Sequence, residues 1–127
     1  MQIKTFRDML VWQRGMDLAR SLYRETERMP RAEMFGLTSQ MRRAAASIPM
    51  NMAEGMGKHS TPELIRGLRI ATGSLHELMT AYELTTSMGL IQAERALLEV
   101  MAEEDRLLGS LIRKLDAKQA ERAKRPK

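Results

Sequence analysis

A chain of 127 residues with 43% hydrophobic and 29% charged side chains is long enough to bury a core and too apolar to be disordered, so it describes one globular domain. It contains no cysteine, which excludes disulfides and thiolate metal sites and fits a reducing compartment. The net charge of +5 is uneven, with twelve basic and seven acidic residues in 1–70, four and eight in 71–117, and five against the single Glu121 in 118–127, a pattern that fits an anionic partner or self-association through complementary faces.

The opening residues Met1-Gln2-Ile3-Lys4-Thr5 run straight into Phe6-Arg7-Asp8 without an apolar leader. No stretch reaches the roughly 18 uninterrupted apolar residues that a membrane span needs. A cytoplasmic protein with no membrane partner is expected. From about residue 8 to residue 28, Met9, Trp12, Met16, Ala19 and Tyr23 recur at three- and four-residue steps, with Val11, Gly15, Leu18 and Leu22 running alongside. Gln13, Arg14, Asp17, Arg20, Arg24 and Glu25 oppose them, so the segment is predicted as an amphipathic helix closed by Pro30. A second helix, about 37–56, carries Leu37, Met41, Ala44, Ile48 and Met52 as its stripe. Pro49 inside it removes a backbone donor and crowds the preceding turn, so a kink is expected, and Gly55 and Gly57 mark the end.

Ser60-Thr61-Pro62-Glu63 has the form of a capping box with proline in the first turn. It predicts a third helix, about 61–88, along Leu64, Leu68, Ala71, Leu75, Leu78 and Tyr82, with Gly89 as its C-terminal cap. A fourth, about 92–117, follows Leu97, Met101, Leu108, Leu111 and Leu115; its start lacks a favoured cap residue, and Glu104 interrupts its seam. Residues 118–127 show no apolar pattern and are predicted to be a frayed or disordered basic tail. Long helices joined by short loops bury their stripes by packing antiparallel, and no alternating β-branched or aromatic runs compete. The fold class is therefore all-α, an up-and-down antiparallel four-helix bundle over residues 6–117.

Catalytic and metal constellations are not supported. His76-Glu77 opens like a zinc-protease motif, but Thr80 stands where the second histidine belongs. The Glu-x-x-His pair of di-iron bundles fails at both histidines, since Met56 and Gly73 lie three residues before His59 and His76. Gly55-Met56-Gly57-Lys58-His59-Ser60 lacks the strand and spacing of a phosphate loop and reads as an interhelical turn. With no cysteine, and no base positioned beside any serine or threonine, no nucleophile is assigned. No metal, cofactor or enzymatic activity is expected. The twelve methionines fall mostly on core stripes, while Met50 and Met56 are candidates for a subunit contact.

Two polar sets remain. Gln40, Arg43, Ser47, Asn51 and Glu54 are spaced by three, four, four and three residues, so they line one face of the second helix. Amide, guanidinium, hydroxyl and carboxylate in one row can form a network that fixes register at a helix or subunit interface; a binding site is the alternative. The second set is basic: Arg42, Arg43, Lys58, Arg66 and Arg69, joined by Lys118, Arg122, Lys124 and Arg125 of the tail. Gathered at one end of the bundle, these cations would bind phosphates without sequence preference.

The segment Phe6-Arg7-Asp8-Met9-Leu10-Val11-Trp12-Gln13, Tyr23 with Thr26, and the run from Gly36 to Pro49 continuing through Asn51-Met52-Ala53-Glu54-Gly55 resemble the four-helix-bundle proteins encoded in bacterial 23S rRNA intervening sequences. So does Gly73-Ser74-Leu75-His76-Glu77-Leu78. The likeness covers about residues 6–90. Gly67 departs from it where the family commonly has an aromatic residue, and Met79 where a glutamate is usual. The resemblance implies a ring-like homopentamer with no known enzymatic activity. It also implies kinship with accessory proteins of diversity-generating retroelements, which contact a reverse transcriptase and nucleic acid.

The functional expectation is an oligomeric interaction protein that binds RNA or a nucleic-acid-associated protein through its basic residues, with the polar row holding the architecture. The alternatives are a structural or regulatory assembly that binds protein alone, and an enzyme whose site forms between subunits around Arg43 and Glu54.

Overall fold

The computed structural model describes residues 3–126. Met1 and Gln2 of the opening segment, and Lys127 of the basic tail, lie outside the described residues. Among the described residues there are four α-helices, α1 (Leu10–Glu25), α2 (Leu37–Gly57), α3 (Thr61–Ser87) and α4 (Arg95–Ala123), with short 3-10 turns before α1 and between α1 and α2. Each packs on its neighbour in sequence, and α4 returns to α1, which closes a four-helix bundle.

Local chemistry sets the helix ends. Thr5 and Asp8 form a reciprocal capping box around the 3-10 turn Phe6–Asp8 that leads into α1. The backbone N–H groups of Lys4 and Thr5 donate to the Asp8 carboxylate at 2.8 and 3.1 Å and hold its pKa below the ordinary value. At Ser60 only half of the predicted box forms. The Ser60 hydroxyl accepts from the Glu63 N–H at 3.2 Å, but the Glu63 carboxylate turns toward Lys58 Nζ at 3.7 Å. At the far end of α3, Gly89 adopts φ +74°. Its N–H donates to the Thr86 carbonyl and that of Leu90 to Thr85, the paired bonds of a Schellman cap. The turn after α2 uses His59, not a glycine, for its left-handed residue, at φ 57°.

The core draws on every helix: Leu18 and Leu22 of α1, Met41, Ile48 and Met52 of α2, Leu68, Leu75, Leu78 and Tyr82 of α3, and Met101 and Leu108 of α4. On α1 the buried stripe is Val11, Gly15, Leu18 and Leu22, whereas Tyr23 is exposed and Trp12 and Met16 are half-buried. Of the two apolar rows at helical spacing, the one containing the glycine faces inward. Tyr82 buries its ring and accepts the Glu94 N–H on its hydroxyl at 2.8 Å, fixing the chain where it enters α4. Glu94 itself caps α4, accepting from Ala96 N–H at 3.4 Å.

Helix α2 runs unbroken through Pro49, which is buried beside α1 near Met16 and Ala19. The α4 helix continues through Ala123, past the expected boundary at residue 117. Its last two turns consist of Ala, Lys, Gln, Glu and Arg, all strong helix formers, and they need no apolar stripe to stay helical. Among the described residues no helix is long and apolar enough to cross a membrane.

Candidate functional site

The closest helix crossing lies between α2 and α3. A Cβ on Gly67 would stand 2.6 Å from the Asn51 carbonyl oxygen and 3.0 Å from Gly55 Cα, so two facing glycines let the backbones touch. This crossing brings Asn51, Glu54 and Lys58 of α2 against Glu63, Arg66 and Ile70 of α3 around a shallow polar hollow. Lys58 bridges the helices, 3.9 Å from Glu54 and 3.7 Å from Glu63.

The polar row of α2 runs outward from this crossing. Ser47 Oγ donates to the Ala44 carbonyl at 2.7 Å, and Asn51 Nδ2 to that of Ser47 at 2.7 Å. Gln40, Arg43 and Glu54 are exposed. Within one chain Ser47 and Asn51 bond to the backbone of their own helix and Glu54 pairs with Lys58, and none of the five bonds to another. Beside them, α3 presents Arg66, Ile70, Gly73, Glu77, Thr80 and Leu84, each exposed and spaced by four and three residues. The two rows make one outward face in which Ile70 and Leu84 are 43% and 49% exposed.

The basic residues divide into two groups. Arg42 lies at the end of the bundle where α1 finishes. Its Nε donates to Thr26 Oγ1 at 2.8 Å, another guanidinium nitrogen donates to the Tyr23 carbonyl at 3.2 Å, and the group stacks 4.8 Å from the Tyr23 ring. The guanidinium is thus committed to capping α1, and Arg43 follows it on the exposed side. Lys58, Arg66 and Arg69 are at the opposite end. Arg69 pairs with Asp116 at 2.6 Å, which brings Lys118, Arg122, Lys124 and Arg125 to the same end. Arg66 and these four are exposed, with no carboxylate within ion-pair distance among the described residues.

An apolar groove opens at this end too, because α1 begins at Leu10 while α4 runs on. Ile3, Leu10, Met56, Leu64, Leu107, Leu111 and Leu115 line a space of about 370 Å³ with Lys114 at its rim. Elsewhere His76 lies 2.9 Å from Asp105 and Arg14 3.2 Å from Glu103, exposed pairs that tie α4 to α3 and α1. Among the described residues no three His, Asp or Glu side chains converge to hold a metal ion.

One group of chemical interest is inside. Glu104, visible in the sequence only as a break in an apolar seam, is fully buried, and burial, aided by the charge of Glu103, raises its pKa to about 8.

No curated protein matches the chain. The sequence profile described as 23S rRNA-intervening sequence protein does, over residues 7–111, a span that includes the α2–α3 crossing, the polar row and Glu104. On that match, and with the four-helix bundle described above, the chain belongs to the family of 23S rRNA-intervening sequence proteins.

Proposed function

We propose that the protein is a non-enzymatic, self-associating interaction module whose assembled surface contacts RNA or an RNA-bound protein. The observation that carries the nucleic-acid reading is the basic end. Arg66, the α4 cations Lys118 and Arg122, and Lys124 and Arg125 just beyond the helix are exposed and form no ion pair among the described residues, beside the bridged Lys58 and the paired Arg69. Surface cations that serve only solubility are commonly interspersed with carboxylates, as Arg14, Arg20 and Arg95 are here. Unpaired cations in one zone attract a polyanion and release its counterions on contact.

Self-association draws its support from the outward α2–α3 face. Apolar Ile70 and Leu84 alternate there with polar groups, and Met50 is 66% exposed nearby on α2. Gln40 and Arg43 leave their donors and acceptors available to a second copy, so the polar row can act as a register device between chains. A homopentameric ring is the assembly proposed.

The test has two arms. Solution mass is measured for the intact chain and for Ile70→Glu with Leu84→Glu; the intact chain should be an oligomer and the variant smaller. Binding to a fluorescent single-stranded RNA is measured across a salt series, with a charge-reversed variant at Arg66, Lys118 and Arg122. Affinity should fall steeply with salt for the intact chain and be lost in the variant. Salt-independent binding, or an unaffected variant, sinks the RNA reading and leaves a protein-binding assembly.

A further inference from the structure

Within the bundle, among the described residues, Glu104 is the one acidic residue that is fully buried, at 0% exposure. Neither of its oxygens has a hydrogen-bond partner. It faces α1 at Gly15, where an added Cβ would stand 2.8 Å from Glu104 Oε2, 3.0 Å from Met52 Cε and 3.5 Å from Ile48 Cγ2. The glycine therefore makes the room that the carboxyl occupies, at a point where α1, α2 and α4 meet.

The surroundings offer an ionised carboxylate little compensation. From α2 it meets Ile48 and Met52. The buried residues of α3 are apolar, glycine, threonine, or Tyr82, whose hydroxyl accepts the Glu94 N–H. From α1 the nearby charge is Arg14, already paired with Glu103 at 3.2 Å, and Glu103 on α4 itself opposes a second negative charge. An isolated buried carboxylate of this kind is strongly disfavoured, whereas the uncharged acid is tolerated.

We infer that Glu104 makes the docking of α1 on α4 proton-dependent: the neutral carboxyl fills the gap at Gly15, and its ionisation loosens α1 from the rest of the bundle. Helix α1 is the element that yields because it is the shortest, 16 residues against 21 to 29 in the others. The α2–α3 pair is held by its backbone contact at Gly55 and Gly67, away from the acid. The sign follows from the raised pKa. Between the ordinary value of 4.5 and the folded value of about 8, the folded chain retains a proton that the unfolded chain has released. Stability from this group is therefore full below the lower value, falls as pH rises across the window, and levels off above the upper one.

The experiment follows thermal unfolding of the full chain from about pH 5 to about pH 9, for the natural sequence and for Glu104→Gln and Glu104→Met. The midpoint temperature of the natural chain should fall relative to both variants as pH rises through the window, and the difference should become constant above about pH 8.5. Parallel profiles overturn the proposal. Hydrogen exchange locates the effect. Corrected for intrinsic rates, the protection of amides 13–22 should drop more between about pH 6 and about pH 8.5 than that of α2 and α3, and this drop should vanish in the variants. An equal change in all four helices overturns the assignment to α1. Should neither variant fold, the Glu104 carboxyl is titrated by carbon NMR in the natural chain. A midpoint above about 6 supports the proposal, and one at or below about 6 overturns it.

Discussion

Replacing Gly67 with alanine adds one methyl group at the tightest point of the bundle. Its Cβ would stand 2.6 Å from the Asn51 carbonyl oxygen, 3.0 Å from Gly55 Cα and 3.3 Å from Gly55 N. All three are backbone atoms of α2 and cannot swing aside as a side-chain tip can, so the helices must separate by about 0.5–1 Å along the crossing. Overpacking of this kind costs about 1–3 kcal/mol, while alanine recovers about 1 kcal/mol of helix propensity. The balance is a net loss of up to about 2 kcal/mol, up to roughly 8 °C in Tm for a chain of this size. Gly73 provides the control, since it lies in the same helix with nothing within 4 Å of its added Cβ. Gly73→Ala should gain about 0.5–1 kcal/mol by propensity alone. Urea unfolding of the two variants, followed by circular dichroism, gives the comparison. If Gly67→Ala proves as stable as Gly73→Ala, the claim of backbone contact between α2 and α3 is wrong.

The other predictions concern single groups. Arg42→Ala should cost about 1–2 kcal/mol, because it removes two hydrogen bonds at the end of α1 and the stacking on Tyr23, and Arg42→Lys should not restore it in the same chemical denaturation assay. His59→Gly should raise the unfolding midpoint by the equivalent of up to about 1 kcal/mol, since glycine accepts the left-handed φ of 57° without a Cβ penalty. Tyr82→Phe should lose about 1 kcal/mol in urea titration by leaving the Glu94 N–H without its acceptor. Glu104→Met should be about 1–4 kcal/mol more stable than the natural chain near pH 8.5, as replacement of a buried ionic group by an apolar one commonly is. That gain should shrink as pH falls toward 5, because the carboxyl of the natural chain is then neutral in the fold.

Periodicity made most of the architecture legible. The stripes of α2 and α3 read directly because Met41, Ala44, Ile48 and Met52, and Leu68, Ala71, Leu75 and Leu78, are large or small apolar residues at helical spacing with polar neighbours. Helix α1 offered two apolar rows, and choosing between them required seeing that Gly15 is a core position. A glycine carries no hydrophobic signal; what makes it inward is the acid across from it. The start of α4 was obscured for a similar reason, since its cap is a glutamate, Glu94, and its anchor is a tyrosine hydroxyl twelve residues earlier. The polar row was readable as a row, but whether it faces a neighbouring helix or solvent depends on how α2 is rotated against α3. The facing glycines at residues 55 and 67 decide that rotation. The basic residues were readable as a set, but only the fold separates Arg42, which caps α1, from Arg66 and the α4 cations at the other end.

These separations give the bundle two mechanical parts. The α2–α3 pair is joined by close backbone contact and by Lys58, which spans both helices between Glu54 and Glu63. It carries the polar row and the apolar residues beside it, so a surface meant to keep its register is built on the stiffer element. Helix α1 is held by a smaller apolar face, by Arg42 at one end and by a core whose centre contains an unpartnered acid. Burying that acid adds no stability that an apolar residue would not supply better, and it makes the packing of α1 the most condition-dependent contact in the fold. Arg42 ties the C-terminal end of α1 to α2 and lies away from the basic cluster, so loosening that begins at Gly15 would release first the N-terminal half of α1, where Leu10 and Val11 line the apolar groove beside Lys114. In this arrangement the register of the outward face and the mobility of α1 are governed by different residues, and each can change without the other.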